Sequence, residues 1–335
     1  MSLMEINFNN KTILITGGAG FIGSNIAFYL QKNYPDSKII IFDVFRKGET
    51  FDNGNLKSFG HYKNLIGFKG DIICGDIKDE EDLNKLKFYK LDFIFHYAAI
   101  SDTRVYDQEI IMKTNVNSFY NLLEVAKKNE AGMIYASSAA TYGSSPSPQK
   151  IGDDSPENVY GFSKYAMDQI AYRYMKEYSN MHIVGLKFFN VYGEKEYFKN
   201  KTASMVIQLG HQIIAGKSPR LFIGSDKIMR DFVYVKDVIL ANILACFTKK
   251  NGIYNIGSGV HRSFYDIVNI LQQELNTNLK IEYFENPYKG YQMHTRADIS
   301  LSQEFLGYKP NYTLEQGIKE YIPYIKQTFN WDKKQ

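Results

Sequence analysis

A short apolar run, Lys11-Thr-Ile-Leu-Ile-Thr16, stops at Gly17-x-x-Gly20-x-x-Gly23, and the segment 21–33 that follows carries Ile22, Ile26, Phe28 and Leu30 at helical spacing. A run so short, halted by glycines, reads as a strand buried on both faces. The unit then repeats. Strand-like runs recur at 38–43, 71–74, 92–96, 132–136 and 182–187, with helix-like stretches between them, among them 115–129 and 160–178, and a further helix-like stretch follows at 202–216. This alternation predicts an α/β fold, a Rossmann-type doubly wound parallel sheet with right-handed crossovers.

The glycines sit after a predicted strand and open a predicted helix, the context in which their spacing points to a dinucleotide. Gly17 and Gly18 permit the tight turn, Gly20 lets the backbone approach a pyrophosphate, and Gly23 allows close helix–strand packing. The helix N-terminus then offers unpaired N–H groups and partial positive charge to the phosphates. Asp43, ending the second strand, is placed to bond the adenosine ribose hydroxyls, which favours NAD. Arg46 and Lys47 lie just beyond and suit the extra phosphate of NADP, with Lys63 and Lys69 either helping or forming a solvated face. The residues alone leave both dinucleotides open. Asp76 is placed for the adenine amino group, with Ile77 packing on the ring. Asn115 either orders a catalytic helix or is a satisfied core amide.

Tyr160 and Lys164 stand at i and i+4, downstream of Ser137 and Ser138. That spacing puts both side chains on one helical face, roughly 5–6 Å apart at Cβ. A nearby ammonium favours phenolate, so the tyrosine is expected to titrate below its ordinary value of about 10 and act as a proton-transfer group.

Composition excludes more than it assigns. The chain has 335 residues, 44% hydrophobic and 23% charged, long enough for two cores in an ordinary globular protein. A net charge of +4 from 40 basic and 36 acidic residues is too even for nucleic acid but suits an anionic small substrate. The first residues lack a secretory pattern, and Met1-Ser-Leu3 reads as a scar before Met4. No window resembles a membrane span. Cys74 and Cys246 fit two reduced thiols in cytoplasm, and the histidines lack ligand spacing, so no metal is expected.

Six segments together resemble the extended short-chain dehydrogenase/reductase superfamily: TGGAGFIGSN (16–25), HYAAISD (96–102), YASSAATYG (135–143), NVYGFSK (158–164), FFNVYG (188–193) and RDFVYVKDV (230–238). The resemblance implies that Ser138 bonds the reacting oxygen, that Tyr160 exchanges the proton, and that Lys164 holds the nicotinamide ribose and lowers the tyrosine pKa. It also implies cofactor contacts from Phe21, Ile22, Val44, Tyr97, Ala98, Ala99, Ser101, Asn115 and Val191.

Within that superfamily the chain is similar to the ADP-glycero-manno-heptose 6-epimerases, on YGEKEYFK (192–199), TASM (202–205), KSPRLF (217–222), GSD (224–226) and YQMHTRAD (291–298). These act by transient oxidation at C6 and return of hydride to the opposite face, which calls for a second proton-transfer group. Lys199 aligns with it and Lys201 is the rival. The resemblance implies NADP as cofactor, an ADP-heptose substrate and a homo-oligomer. Arg230 would grip the diphosphate, a role that suits a guanidinium fork. Asn190, Gln208, Phe222, Ile223, Gly224, Ser225 and Tyr291 would complete the substrate contacts. Val44, Thr50 and Glu194 depart from the family pattern, the first two against NADP. The expected dinucleotide domain spans 1–189 with returns near 234–260 and 292–314, and a smaller α/β lobe takes 190–233, 261–291 and 315–335.

Three other enzymes share the apparatus. A nucleotide-sugar 4-epimerase needs only one proton-transfer group, so Lys199 would be unexplained. A 4,6-dehydratase needs an acidic pair after the catalytic hydroxyl, where Ala139 and Ala140 stand. A reductase would release its cofactor each turn. A cofactor-binding sensor would lack the tyrosine or the lysine, and both are present.

Overall fold

The computed structural model describes residues 6–286 and 292–332. The first half runs β1 (Thr12–Thr16), α1 (Phe21–Asn33), β2 (Lys38–Asp43), β3 (Asp71–Cys74), α2 (Glu80–Asn84), β4 (Phe93–His96), α3 (Gln108–Ile111), α4 (Ser118–Asn129), β5 (Gly132–Ser138), α5 (Val159–Glu177) and β6 (Ile183–Phe188). The second half runs β7 (Asn190–Tyr192), α6 (Met205–Ile214), β8 (Arg220–Phe222), β9 (Met229–Tyr234), α7 (Val235–Ala245), β10 (Gly252–Ile256), β11 (His261–Ser263), α8 (Phe264–Leu275), β12 (Glu282–Phe284) and α9 (Leu314–Asp332).

Seven strands form one parallel sheet in the order β10-β6-β5-β4-β1-β2-β3. Side chains alternate across it. Ile13 and Ile15 join Ile26, Leu30 and Val238 on one face, while Leu14 joins Leu122, Met133 and Met167 on the other. Coverage on both faces explains why the inner strands are apolar throughout rather than alternating. The edge strand β3 does alternate between half-buried and exposed residues, as a strand with one wet side should. The order reverses between β1 and β4, and such a switch point opens a crevice beyond the carboxyl ends of the strands.

The later elements build a third core, with Val206, Leu209, Ile267, Leu271, Ile318 and Tyr321 gathered from α6, α8 and α9. A three-stranded sheet β11-β9-β7 and a parallel pair β12-β8 complete this part. No helix of the described residues is long and apolar enough to cross a membrane.

The observed elements differ from the sequence reading in three places. The helix expected over 115–129 begins at Gln108, because Asp107 Oδ1 accepts from Ile110 N (3.0 Å) and caps it, and it passes through a π-helical turn at Met112–Asn117. The helix expected over 202–216 is Met205–Ile214, since Ser204 is extended (ψ 157°). Strand β5 runs on to Ser138, two residues beyond the predicted end, which carries the hydroxyl to the rim of the sheet.

Gly23 shows how tightly the first crossover is closed: a Cβ there would stand 2.5 Å from the Gly17 carbonyl oxygen. Gly23→Ala must therefore push α1 off β1. It is expected to cost about 1–3 kcal/mol in a urea unfolding curve, and an unchanged midpoint would contradict this packing.

Candidate active site

The β1–α1 turn sets one end of the site. Gly17 has φ +68°, a conformation that favours glycine, and a Cβ on it would lie 2.7 Å from Ala98 N. The turn thereby presses on the segment leaving β4. No side chain caps α1 at Gly20, so its first N–H groups face the crevice without a side-chain partner. Asp43 ends β2 and ties the turn down, accepting from Ala19 N (3.0 Å) and Phe45 N (2.8 Å). Burial raises its carboxyl pKa, against the pull of those two N–H groups.

A cavity of about 540 Å³ runs from there along the strand ends. That is within the usual range for a small-molecule or cofactor site. Gly17, Gly20, Phe21, Ile22, Gly23, Asp43, Val44, Asp76, Ile77, Tyr97, Ala98, Ala99, Ser101 and Val191 line it, together with Ser138, Tyr160, Lys164 and Lys199.

Ser138 ends β5 and caps the short turn Ala139–Tyr142, its Oγ accepting from Ala140 N (3.1 Å). Tyr160 lies in the first turn of α5, which Asn158 caps through Gly161 N (2.8 Å), and its phenol is hydrogen-bonded to Ser138. One turn on, Lys164 Nζ donates to Ala136 O (2.7 Å) and lies 6.0 Å from the Tyr160 ring centroid. The expected lowering of the phenol by that ammonium is corrected here. Burial dominates and raises Tyr160, and the pull downward comes from the Ser138 hydrogen bond. Burial brings Lys164 itself down to about 8, with the Asp168 carboxylate acting the other way.

Behind these groups lies a closed ionic network. Asp168 accepts from Tyr135 Oη and Ser137 Oγ (2.8 Å each) and pairs with Lys187 Nζ (3.2 Å). Lys187 also donates to Thr141 Oγ1 (2.8 Å) and pairs with Asp154. The strand end and turn that present Ser138 are thus held from beneath by charge.

Lys199 comes from the turn Tyr197–Thr202 and extends over the Phe21 ring at 5.7 Å. Burial lowers its pKa, opposed by Glu196 and Asp102. Lys201, its rival, is exposed and does not line the cavity.

Several expected residues lie elsewhere. Arg46 donates to Phe198 O and packs over that ring, outside the cavity wall, whereas Lys47 and Lys57 line it, Lys57 paired with Glu49 (3.9 Å). Lys63 lies 5.5 Å over the Trp331 ring, and neither it nor Lys69 lines the cavity. Asn115 is a satisfied amide rather than a wall residue: it bonds both Ile100 N (2.8 Å) and O (3.0 Å) and reaches Ser163 Oγ (2.9 Å), joining the cavity rim to α5.

Among the described residues, none of Asn190, Gln208, Phe222, Ile223, Gly224, Ser225 and Arg230 lines this cavity. Asn190 Nδ2 donates to Asp231 O (3.3 Å), Gln208 Nε2 to Ala203 O (2.6 Å), and Arg230 Nη1 to Met229 O (2.9 Å). Phe222 packs edge-on against Phe284, Ile223 is exposed, Gly224 has φ +79°, and Ser225 is buried. Tyr291 lies outside the described residues. Lys57 and Thr114 are among the wall residues that the sequence does not mark. Lys57 sits in a connection without periodic signal, and Thr114, next to Asn115, lines the cavity with a buried Oγ1 that has no hydrogen-bond partner.

A family model for the NAD dependent epimerase/dehydratase family matches residues 13–257, and the chain belongs to that family. Its fold is similar to that of Helicobacter pylori ADP-L-glycero-D-manno-heptose-6-epimerase, at TM-score 0.88 and 46% identity over 97% of this chain and 98% of that one. Thermotoga maritima UDP-glucose 4-epimerase, solved with UDP-glucose, gives 0.84 and 27% over 95% and 99% of the two chains. Bacillus anthracis dTDP-glucose 4,6-dehydratase, solved with NAD, gives 0.82 and 25% over 96% and 98%. A nucleotide-sugar epimerase working with a nicotinamide cofactor is the class these similarities support. The cavity fits such a cofactor: the glycine cradle leaves no room for a Cβ, Asp43 closes one end, and the Thr114 hydroxyl awaits a partner.

Lys187 shows side-chain exposure of only 1%, so Lys187→Met strands the negative charges of Asp168 and Asp154. A loss of about 3–5 kcal/mol is expected in denaturant unfolding; a loss below 1 kcal/mol would show the network to be dispensable.

Proposed function

We propose that this chain is an ADP-glycero-manno-heptose 6-epimerase that uses bound NADP. The observation that carries the reading is the meeting of two proton-transfer groups, the Tyr160 phenol and the Lys199 amine, in one cavity with Ser138 and Lys164. The 46% identity to the Helicobacter pylori enzyme across nearly the whole chain supports the choice of substrate.

When bound, the dinucleotide supplies the hydride acceptor and donor. Gly17, Gly20 and the α1 N-terminus hold its phosphates and Asp43 its ribose, with Lys47 and Lys57 receiving the 2′-phosphate. Tyr160 Oη takes the proton from the C6 hydroxyl of one epimer, while Ser138 Oγ bonds the same oxygen. The sugar is then a ketone at C6, since that carbon bears both C5 and C7. Turning the carbonyl about the C5–C6 bond presents its opposite face and moves its oxygen towards Lys199 Nζ, which gives the proton that completes the other epimer. In the reverse direction the two groups exchange roles. Lys164, buried and bonded to Ala136 O, keeps a positive charge beside the nicotinamide ribose and the phenol.

Inversion at a ring carbon, the 4-epimerase alternative, requires only Tyr160 and leaves a lysine of the cavity wall with no task. Supplying ADP-heptose and UDP-sugars to the purified protein and following the stereocentre by NMR separates the two, with turnover of ADP-heptose expected. Tyr160→Phe is expected to slow turnover by about 10²–10⁴-fold, and Lys199→Met comparably, with cofactor affinity retained. Full activity of Lys199→Met on both epimers would favour the 4-epimerase reading. Lys57→Glu is expected to weaken NADP at least about tenfold relative to NAD in a fluorescence titration, through loss of a charge-assisted phosphate contact; equal effects on both would remove Lys57 from that role.

A further inference from the structure

An ordinary loop is a poor carrier for a proton-transfer group, because its lysines swing freely in water. The 193–204 segment is not built that way. Glu196 is fully buried within it, at 0% exposure. Its Oε1 accepts from Gly193 N (3.2 Å), Ser204 Oγ (2.8 Å) and Tyr321 Oη (3.0 Å), and its Oε2 accepts from Ser204 N (2.7 Å). Backbone N–H groups can only donate, so these bonds and the Lys199 ammonium favour the carboxylate, while burial raises its pKa against them. Gly193 follows β7, Ser204 immediately precedes α6 and Tyr321 belongs to α9, so one side chain joins three elements. Lys199 N in turn donates to Glu196 O (2.9 Å), which sets the turn that bears the amine.

We propose that Glu196 is the positioning residue for Lys199: its carboxylate pins the turn that carries the amine and supplies the counter-charge for a half-buried ammonium in the cavity. The catalytic consequence rests on the reading of Lys199 as the second proton-transfer group; the structural one does not. Lys199 faces Glu196 from its own turn and Asp102 from the segment after β4, with the Arg46 guanidinium held against Phe198 nearby and Tyr160 and Lys164 in the same cavity. Asp102 already forms an ion pair with Arg104 Nε (3.0 Å), whereas the four donors to Glu196 are neutral, which leaves Glu196 as the main answering charge. Glu196 itself is faced by Tyr192 of β7 and by Tyr321 and Tyr324 of α9, with Glu194 also acting on those α9 phenols. Burial pushes Lys199 down and both carboxylates push it up. Removing the Glu196 charge must therefore lower the amine further.

The test uses the holoenzyme with NADP, labelled with ¹³C-lysine, the Lys199 signal being assigned by its loss in Lys199→Met. In Glu196→Gln the Lys199 midpoint is expected to fall by about one pH unit, a tenfold change in its acid constant, and kcat to fall about 10–100-fold with KM little changed, as for a misplaced catalytic group. In Tyr321→Phe, which removes one bond and keeps the charge, the midpoint is expected to hold while kcat falls several-fold. Glu196→Gln made on top of Lys199→Met is expected to cost no further activity. An unmoved midpoint in a Glu196→Gln protein that still binds NADP would overturn the proposal, as would a full additional loss in the double variant. Should Glu196→Gln fail to fold, Tyr321→Phe decides, and unchanged kcat there overturns the proposal. A fully active Lys199→Met would sink the proton-transfer reading alone, while the titration would still decide the role of Glu196.

Discussion

Where β1 and β4 run side by side, their onward crossovers leave in opposite directions, β1 towards β2 and β3 and β4 towards β5, β6 and β10. The site depends on how closely the two chain segments come together just past that divide. Gly17 brings the first turn to within contact of Ala98, so the α1 N-terminus, the β2 end and the β4 exit share one wall. Any side chain at Gly17 would force the two segments apart. The crevice is therefore a consequence of strand order together with one residue that lacks a Cβ.

At the other end of the cavity the governing cost is burial of charge. Lys164 and Lys187 are taken out of water around the proposed reaction centre and Lys199 is half-buried, and a carboxylate acts on each: Asp168 on Lys164 and Lys187, Asp154 on Lys187, and Glu196 on Lys199. A buried ion without such a partner would lose its charge rather than keep it. Two of these lysines face the cavity and one props the strand end that presents Ser138. Burial also brings Lys164 down to about 8, with Asp168 opposing the fall.

Much of this was legible in the sequence because it is local. Short apolar runs marked strands β1 to β6 within a residue or two, the i and i+4 spacing put Tyr160 and Lys164 on one helical face, and the choice of Ser138 came from the family resemblance. What failed to show were facts of tertiary direction. Arg46 and Lys47 are neighbours in sequence, yet only Lys47 turns to the cavity, because the Arg46 guanidinium finds Phe198 O from a distant segment. Lys57 lies in a connection whose path no periodicity fixes. The lobe residues expected around the sugar pair with their own backbone neighbours instead of joining the cavity wall, a pattern that spacing cannot forecast. Glu196 was passed over because a glutamate in a charged, aromatic segment reads as surface until its four donors are seen.

The account turns on a hydrogen that leaves C6 and comes back to the same carbon from the other side. Converting ADP-heptose deuterated at C6 and reading the product by mass spectrometry and NMR tests this most directly. Full retention of deuterium at the inverted C6, in ordinary water, is the result the account requires. Washout of the label into solvent during inversion would mean that C6 is deprotonated rather than oxidised, and the hydride account would fall.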